Sequence, residues 1–406
     1  MENIENNVCA VDGISCLGTC IGLKKGKPDF ALIYSEKPCR AAGVFTKNQE
    51  KGAPLIVDIE HLKGGVAQAI AINSAIANAA TGEQGIEDAK ETCALAAAEL
   101  GIDGEHVLVA STGVIGRRLP MEIIRSGISG LKASLSKTGK AAEAIMTTDT
   151  KKKEIAVREG EFTIGAIAKG SGMIHPNMAT MLCFITTDAD FSAAKLKEFL
   201  TNAANESFNM LSVDADTSTS DMAIILSTGE KKADEAKFQS ALNHVCIELA
   251  KKIAADGEGA TKLLEAEVFG AKSREDAKKI AKGIICSNLV KTALFGNDPN
   301  WGRFLSAIGN SGAQYESKKL KISVQGMRVV EGGVQAAEYD AEKLRKIMAA
   351  DSVKVLVELG LGEGKATAYG CDMRYDYVRI NSKFCRLFSG AFMDELKKKA
   401  ALLIEA

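Results

Sequence analysis

Lys169-Gly-Ser-Gly-Met-Ile-His-Pro-Asn-Met-Ala-Thr-Met-Leu182 is the stretch on which the reading of this chain turns. It follows an alternating strand, Phe162 to Lys169, and leads into an apolar run, Met181 to Thr187. Two glycines, a proline and an asparagine force a turn between them. By pattern alone this is a glycine-rich hairpin loop with a threonine, Thr180, at its exit. Chemistry offers a second reading. A threonine hydroxyl is a weak nucleophile until a base takes its proton, and one known base is the threonine's own α-amine. An α-amine titrates near pH 7.7–8.0, close to the pH a general base requires. Thr180 acquires that amine only if the Ala179–Thr180 bond is cut. The turn favours such a cut by pressing the Thr180 hydroxyl onto the Ala179 carbonyl, with small Ala179 leaving room for the attack.

The segment Pro176-Asn-Met-Ala-Thr-Met-Leu182 resembles the self-cleavage site of the ornithine acetyltransferase family of arginine biosynthesis. The resemblance implies cleavage between Ala179 and Thr180, giving an α chain of residues 1–179 and a β chain of residues 180–406 that starts with the nucleophile. It implies transfer of acetyl from N-acetylornithine to glutamate through acetyl-Thr180. Acetyl-CoA is a further candidate donor, and no cofactor is expected. Self-association of two α and two β chains and a cytoplasmic location are implied with it.

Other segments agree. Ser111-Thr-Gly-Val-Ile-Gly116 leaves a strand, His106 to Ser111, and by pattern is a strand-ending turn ahead of a helix over 119–135. A Thr-Gly pair there can present donors to an oxyanion, and the resemblance assigns that role to Thr112 and Gly113. Thr147-Thr-Asp-Thr150 precedes Lys151-Lys-Lys153, a polar break and a solvated charge run. The family contacts substrate through the residue matching Thr150. Lys169 matches a second substrate-binding residue, its point charge suited to an α-carboxylate. Asp256-Gly-Glu-Gly-Ala-Thr-Lys262 lacks the spacing of a phosphate loop and matches a family motif whose Glu, here Glu258, binds substrate. Asn381 matches another such residue.

Composition is that of a soluble globular protein. The 406 residues are 46% hydrophobic and 25% charged, with a formal net charge of −1. That charge argues against a nucleic acid or anionic membrane partner. The acidic start, Met1-Glu-Asn-Ile-Glu-Asn6, is unlike a signal peptide. Ten cysteines without a Cys-x-x-Cys pattern read as reduced and buried. The four histidines, His61, His106, His175 and His244, lack ligand spacing, so a metal site is not expected. The run Ser212 to Asp221 reads as polar turn chemistry rather than a calcium loop.

Strands are expected at 29–34 and 40–45 around a Lys-Pro turn, and at 67–73, 222–226, 263–269, 320–324, 353–359, 366–370 and 377–381. Helices are expected at 84–100, 193–205, 236–255 and 341–349. The fold class is α/β, too irregular for a doubly wound parallel sheet. The resemblance implies a layered helix–sheet–sheet–helix sandwich built from both cleavage products.

Three stretches depart from the family pattern. Asn73-Ser-Ala-Ile-Ala-Asn78 replaces a glycine and a polar residue by apolar ones. Asp214-Ala-Asp-Thr-Ser-Thr-Ser-Asp221 replaces a Gly and an Asn. Beyond Asn381 the chain continues through Cys385 and Arg386 into Ser389 to Ile404, a candidate terminal amphipathic helix. Two alternatives therefore stand beside acetyl transfer: an aminopeptidase-like hydrolase using the same threonine, and a non-catalytic amino-acid-binding paralogue.

Overall fold

The computed structural model describes residues 1–5, 7–175 and 181–382. Ala179, Thr180 and the proposed helix after Ser389 lie outside the described residues. Nine strands form the larger sheet: β1 (Glu2–Asn3), β2 (Ile14–Thr19), β3 (Phe30–Phe45), β4 (Val66–Ile76), β5 (Val107–Val114), β6 (Lys153–Glu159), β7 (Phe162–Lys169), β8 (Leu182–Ala189) and β9 (Met222–Lys231). They run in the order β1-β6-β7-β8-β9-β3-β4-β5, with β2 beside β3. The pairs β4/β5 and β8/β9 are parallel and the others antiparallel.

Side-chain alternation along these strands builds three cores. On β7 to β9, Ile164, Cys183, Ile185 and Ile225 point one way, under the helices Ala193–Glu206 and Glu235–Ala255. Their neighbours Ile167, Phe184 and Ile224 point the other way and meet Ile33, Ile70, Ile72 and Leu108 of β3 to β5. The opposite face of that second half, Leu32, Ala71 and Val109, lies under the helices Ala53–His61, Gly82–Leu100 and Met121–Ile128. The layers therefore stack helix, sheet, sheet, helix, with one sheet curled so that its halves face each other. Small residues on the helix Gly82–Leu100 (Ala89, Cys93, Ala96, Ala97) let it lie close to the strands.

A second sheet holds β10 (Leu263–Ala271), β11 (Lys321–Val324), β12 (Met327–Glu331), β13 (Val334–Gln335), β14 (Ser352–Glu358) and β15 (Gly364–Cys371), in the order β13-β12-β11-β14-β10-β15. Its own core lies under the helices Arg274–Cys286 and Gly302–Gly309. Tyr369 and Cys371 of β15 reach into the core of the helix Glu235–Ala255, which joins the two sheets. Trp301 packs in the second sheet's core, edge-on to Tyr339.

Four local expectations are corrected. The segments at 29–34 and 40–45 are one strand, β3. Pro38 is accommodated where pairing with β4 breaks between Tyr34 and Cys39, so its missing N–H leaves no gap in the ladder. The strand expected to stop at Ser111 continues to Val114, because Gly113 adopts φ +131° and stays in register with Ala75. The helix expected over 119–135 spans only Met121–Ile128, ending ahead of Gly130 at φ +80°. Tyr377 to Asn381 belongs to a helix, Tyr375–Asn381, where Asp376 pairs with Arg379 three residues on. That spacing brings charges together on one face of a helix. Of the described cysteines, Cys20 is exposed rather than buried. Among the described residues no helix is long and apolar enough to cross a membrane.

Candidate active site

A cavity of about 300 Å³ opens where β4, β5 and β7 end. Its wall includes Thr112, Gly113, Lys169, Glu258 and Asn381, residues that the sequence scatters over most of its length. Thr147, Thr148 and the run Ser218-Thr219-Ser220 complete it.

Thr112 and Gly113 come from one half of the curled sheet and Lys169 from the other. A Cβ at position 113 would stand 2.2 Å from the Ala75 carbonyl oxygen. Only glycine fits there, both for space and for its positive φ. Ala75, its register partner, holds φ +141°, a conformation side chains rarely adopt. Lys169 is 8% exposed, and its Nζ donates to Thr112 Oγ1 at 3.2 Å. Burial holds the Lys169 amine below the usual lysine range, against the pull of Asp149.

Glu258 stands on the turn that ends the helix Glu235–Ala255. Its backbone N–H donates to the Ser171 carbonyl at 2.9 Å. A Cβ on Gly172 would lie 2.4 Å from Glu258 Oε2, so this glycine allows the carboxylate to lie against the backbone of the turn after β7. Asn381 Nδ2 donates to Glu258 Oε2 at 2.6 Å.

Thr150 is placed differently. Its hydroxyl and its backbone N–H both donate to the Asp256 carboxylate, and it does not line the cavity. The neighbouring lysine is no solvated charge: Lys153 is 1% exposed and bridges Asp149 at 2.7 Å and Asp256 at 2.6 Å. Asp149 also accepts the N–H groups of Gly170 (2.7 Å) and Thr147 (2.9 Å). The Asp149–Lys153–Asp256 chain thus ties three cavity segments together, those at 147–148, 169–172 and 258. In the sequence the run of three lysines concealed it. The available signal was that Lys153 opens an alternating strand and takes its inward position.

The segment carrying Ala179 and Thr180 is outside the described residues, but both flanks are anchored to the polar run 212–222. On one side, His175 Nδ1 is 3.1 Å from Ser212 Oγ, and the His175 carbonyl accepts from Thr217 Oγ1 at 2.7 Å. Burial pushes the His175 imidazole down to about 4. On the other, the Met222 N–H donates to the Met181 carbonyl at 2.9 Å. Asp214 accepts the Asp216 N–H at 3.2 Å, the turn role expected of this run, and also the distant N–H groups of Met173 (2.6 Å) and Ile174 (2.8 Å). Its hydroxyl residues Ser218, Thr219 and Ser220 reach the cavity wall, which the sequence reading did not foresee. Among the described residues no group of three or more His, Cys, Asp or Glu is placed to hold a metal ion.

Comparison with known proteins places this geometry in a context. The model of the ArgJ family matches residues 15–385. The arginine biosynthesis bifunctional protein ArgJ of Oceanobacillus iheyensis is 46% identical over 393 residues, covering 93% of this chain and 96% of that protein. Its counterpart from Symbiobacterium thermophilum is 47% identical over 401 residues, covering 95% and 100%. Among solved structures, the arginine biosynthesis bifunctional protein ArgJ of Bacillus halodurans aligns at 40% identity, with a TM-score of 0.47, over 49% of this chain and 97% of that one. Ornithine acetyltransferase from Mycobacterium tuberculosis, complexed with ornithine, aligns at 37% identity, with a TM-score of 0.43, over 44% and 99%.

Proposed function

The chain belongs to the ArgJ family of arginine-biosynthesis enzymes, and from that membership we propose that it moves acetyl from N-acetylornithine to glutamate through a covalent acetyl-Thr180. The observation that carries the site assignment is the convergence of Thr112, Gly113, Lys169, Glu258 and Asn381 on one cavity. Cleavage at Ala179–Thr180 divides the chain into residues 1–179 and 180–406 and frees the Thr180 amine. That amine takes the hydroxyl proton as the oxygen attacks the acetyl carbonyl. Thr112 and Gly113 donate to the oxyanion that forms. The proton passes to the departing ornithine nitrogen. Glutamate then attacks acetyl-Thr180 with its neutral amine, whose proton passes through the Thr180 amine to the Thr180 oxygen as the ester bond breaks, and N-acetylglutamate leaves.

The cavity's charges suit these substrates. Lys169 matches an α-carboxylate, and Glu258, oriented by Asn381, matches the side-chain ammonium of ornithine. Thr150 acts through Asp256, which begins the turn bearing Glu258. Acetyl-CoA serves as a second donor in this reading, with no resident cofactor. The working assembly is two α and two β chains in the cytoplasm, with no nucleic acid or membrane partner. The curated relatives are named as bifunctional proteins of arginine biosynthesis, which favours transfer over hydrolysis or binding alone.

The test is to trap the intermediate. Enzyme incubated with N-acetylornithine alone and quenched in acid should carry one acetyl group on the fragment beginning at Thr180. Glutamate should remove it, and initial-rate lines at varied glutamate should run parallel. If the acetyl group never appears and the lines intersect, transfer is direct and Thr180 is not the carrier.

A further inference from the structure

Adjoining the cavity, and sharing Thr112, Lys169, Ser218 and Ser220 with it, is a smaller chamber of about 20 Å³, room for one water-sized group. Thr112, Lys169, Ser218, Ser220 and Asp221 line it. Asp221 ends the polar run just ahead of β9 and is 2% exposed. Among the described residues its Oδ2 has no hydrogen-bond partner, although a buried polar atom left unpaired costs about 1–3 kcal/mol. Such an atom calls for an explanation.

The hydrogen bond between Lys169 and Thr112 supplies one. A threonine hydroxyl has one proton to give and lone pairs to receive. When Lys169 is an ammonium it can only donate, so it occupies a lone pair of Thr112 Oγ1 and leaves the Thr112 proton free for the cavity. When Lys169 is a neutral amine it can accept that proton, and Thr112 turns its donor away. The charge of Lys169 therefore decides whether Thr112 can stabilise an oxyanion.

Lys169 is buried, and burial opposes its charge. Facing it are two like charges, Lys24 and Lys153, and three carboxylates, Asp149, Asp221 and Glu258. Two of the three are engaged elsewhere. Asp149 accepts from Lys153, Gly170 and Thr147. Glu258 accepts from Asn381. Asp221 has its free oxygen and shares the chamber with Lys169; Ser218 is its other neighbour. Burial also pushes the Asp221 carboxyl up, against the Ser218 hydrogen bond and the Lys169 charge, and Asp221 in turn adds to the pull of Asp149 that favours the charged form of Lys169.

We propose that Asp221 is a positioning residue of the reaction, a buried counter-charge that helps keep Lys169 an ammonium and so commits the Thr112 hydroxyl to the oxyanion. In this role it acts through Lys169. The proposal rests on the reading of Thr112 as an oxyanion donor.

The experiment compares pH profiles of kcat for acetyl transfer in the cleaved enzyme, for wild type, Asp221→Asn, Asp221→Glu and Thr112→Ala, and for Asp221→Asn combined with Thr112→Ala. Asp221→Asn keeps the shape and removes the charge. Its alkaline limb should move to lower pH by about one unit, a loss of about tenfold above the limb. KM should hold. Asp221→Glu restores the charge and should return the limb toward the wild-type position, and it serves as the working variant if the asparagine form fails to fold, because a limb displaced despite the retained charge also overturns the proposal. In the Thr112→Ala background the Asn substitution should have no further effect on the limb. A full Thr112 effect with an unmoved limb in Asp221→Asn overturns the proposal and leaves the oxyanion reading intact. If Thr112→Ala leaves kcat unchanged, the oxyanion reading fails and the proposal fails with it. Equal losses from Asp221→Asn in both backgrounds also overturn it, because they mark a structural role.

Discussion

Asn381 and Glu258 stand 123 residues apart in the chain and meet at the cavity through a 2.6 Å hydrogen bond. The bond holds one carboxylate oxygen in place, and Gly172 lets the group lie flat against the turn after β7. A fixed carboxylate at a cavity wall selects for a substrate cation.

Glu258→Gln keeps the shape and removes that charge. A hydrogen bond to a charged group is worth about 1.5–3 kcal/mol. The expected loss in kcat/KM for N-acetylornithine is on the order of ten- to a hundredfold. N-acetylnorvaline, which lacks the side-chain amine, should lose far less. Steady-state kinetics with both donors decide it, and equal losses would remove Glu258 from cation recognition.

Thr112→Ala removes one candidate oxyanion donor, a change that costs about 2.7–4 kcal/mol in comparable enzymes. The expected fall in kcat is on the order of a hundredfold, with KM for N-acetylornithine near its original value. The contact exists in the transition state and not in the ground state. A rise in KM at constant kcat would instead make Thr112 a binding residue.

Processing has a direct readout. Purified protein on a denaturing gel should separate into residues 1–179 and 180–406, and sequencing of the larger piece should begin Thr-Met-Leu-Cys. Thr180→Ala should remain uncut and inactive. Thr180→Ser keeps a hydroxyl without the rotamer-restricting methyl, so it should cut slowly and retain some transfer. An active, uncut wild type would rule out the amine as base.

Lys153→Met is the stability test. It leaves Asp149 and Asp256 buried without their shared cation, a change expected to cost about 3–5 kcal/mol. The pH dependence has a definite sign. Burial alone would raise the Asp149 carboxyl, but Lys153 and Lys169 outweigh it and hold the group well below the usual carboxylate range. Its contribution to stability is therefore complete above about pH 4, the unfolded value, and is lost as pH falls through the lower folded value. Thermal melts should show the gap between wild type and Lys153→Met widest near neutral pH and narrowing as pH falls, because the variant's buried carboxylates take up protons at higher pH than the wild type's. A gap independent of pH would mean that the lysine acts only by packing.

The site was readable in part because it is written in short motifs. Lys169 ends β7 and Asp256-Gly-Glu258 follows a helix, elements whose alternation or helical spacing is plain, so these positions follow from local rules, whereas Thr112-Gly113 lies inside the last residues of β5 rather than beyond its end. The buried bridge through Lys153 was not readable. A lysine among lysines looks solvated until two carboxylates from separate segments close on it. Tyr375–Asn381 was misread for a related reason: its apolar residues Tyr375 and Val378 are largely exposed, so they carry no record of a buried face. The Asp376–Arg379 pair was the better signal.

By itself, the sequence determined the alternating strands, the amphipathic helices, the glycines where backbone must pass close, and the kinds of chemistry available at each turn. These depend on the residue and its near neighbours, through periodicity, φ preference and proton affinity. Tertiary structure alone decided which of those groups share a cavity. Curling one sheet onto itself brought Thr112 to within 3.2 Å of Lys169, and the turn after a distant helix brought Glu258 to Asn381. Whether a buried charge finds its partner is a property of the closed fold, because desolvation and pairing are both set by what packs around it.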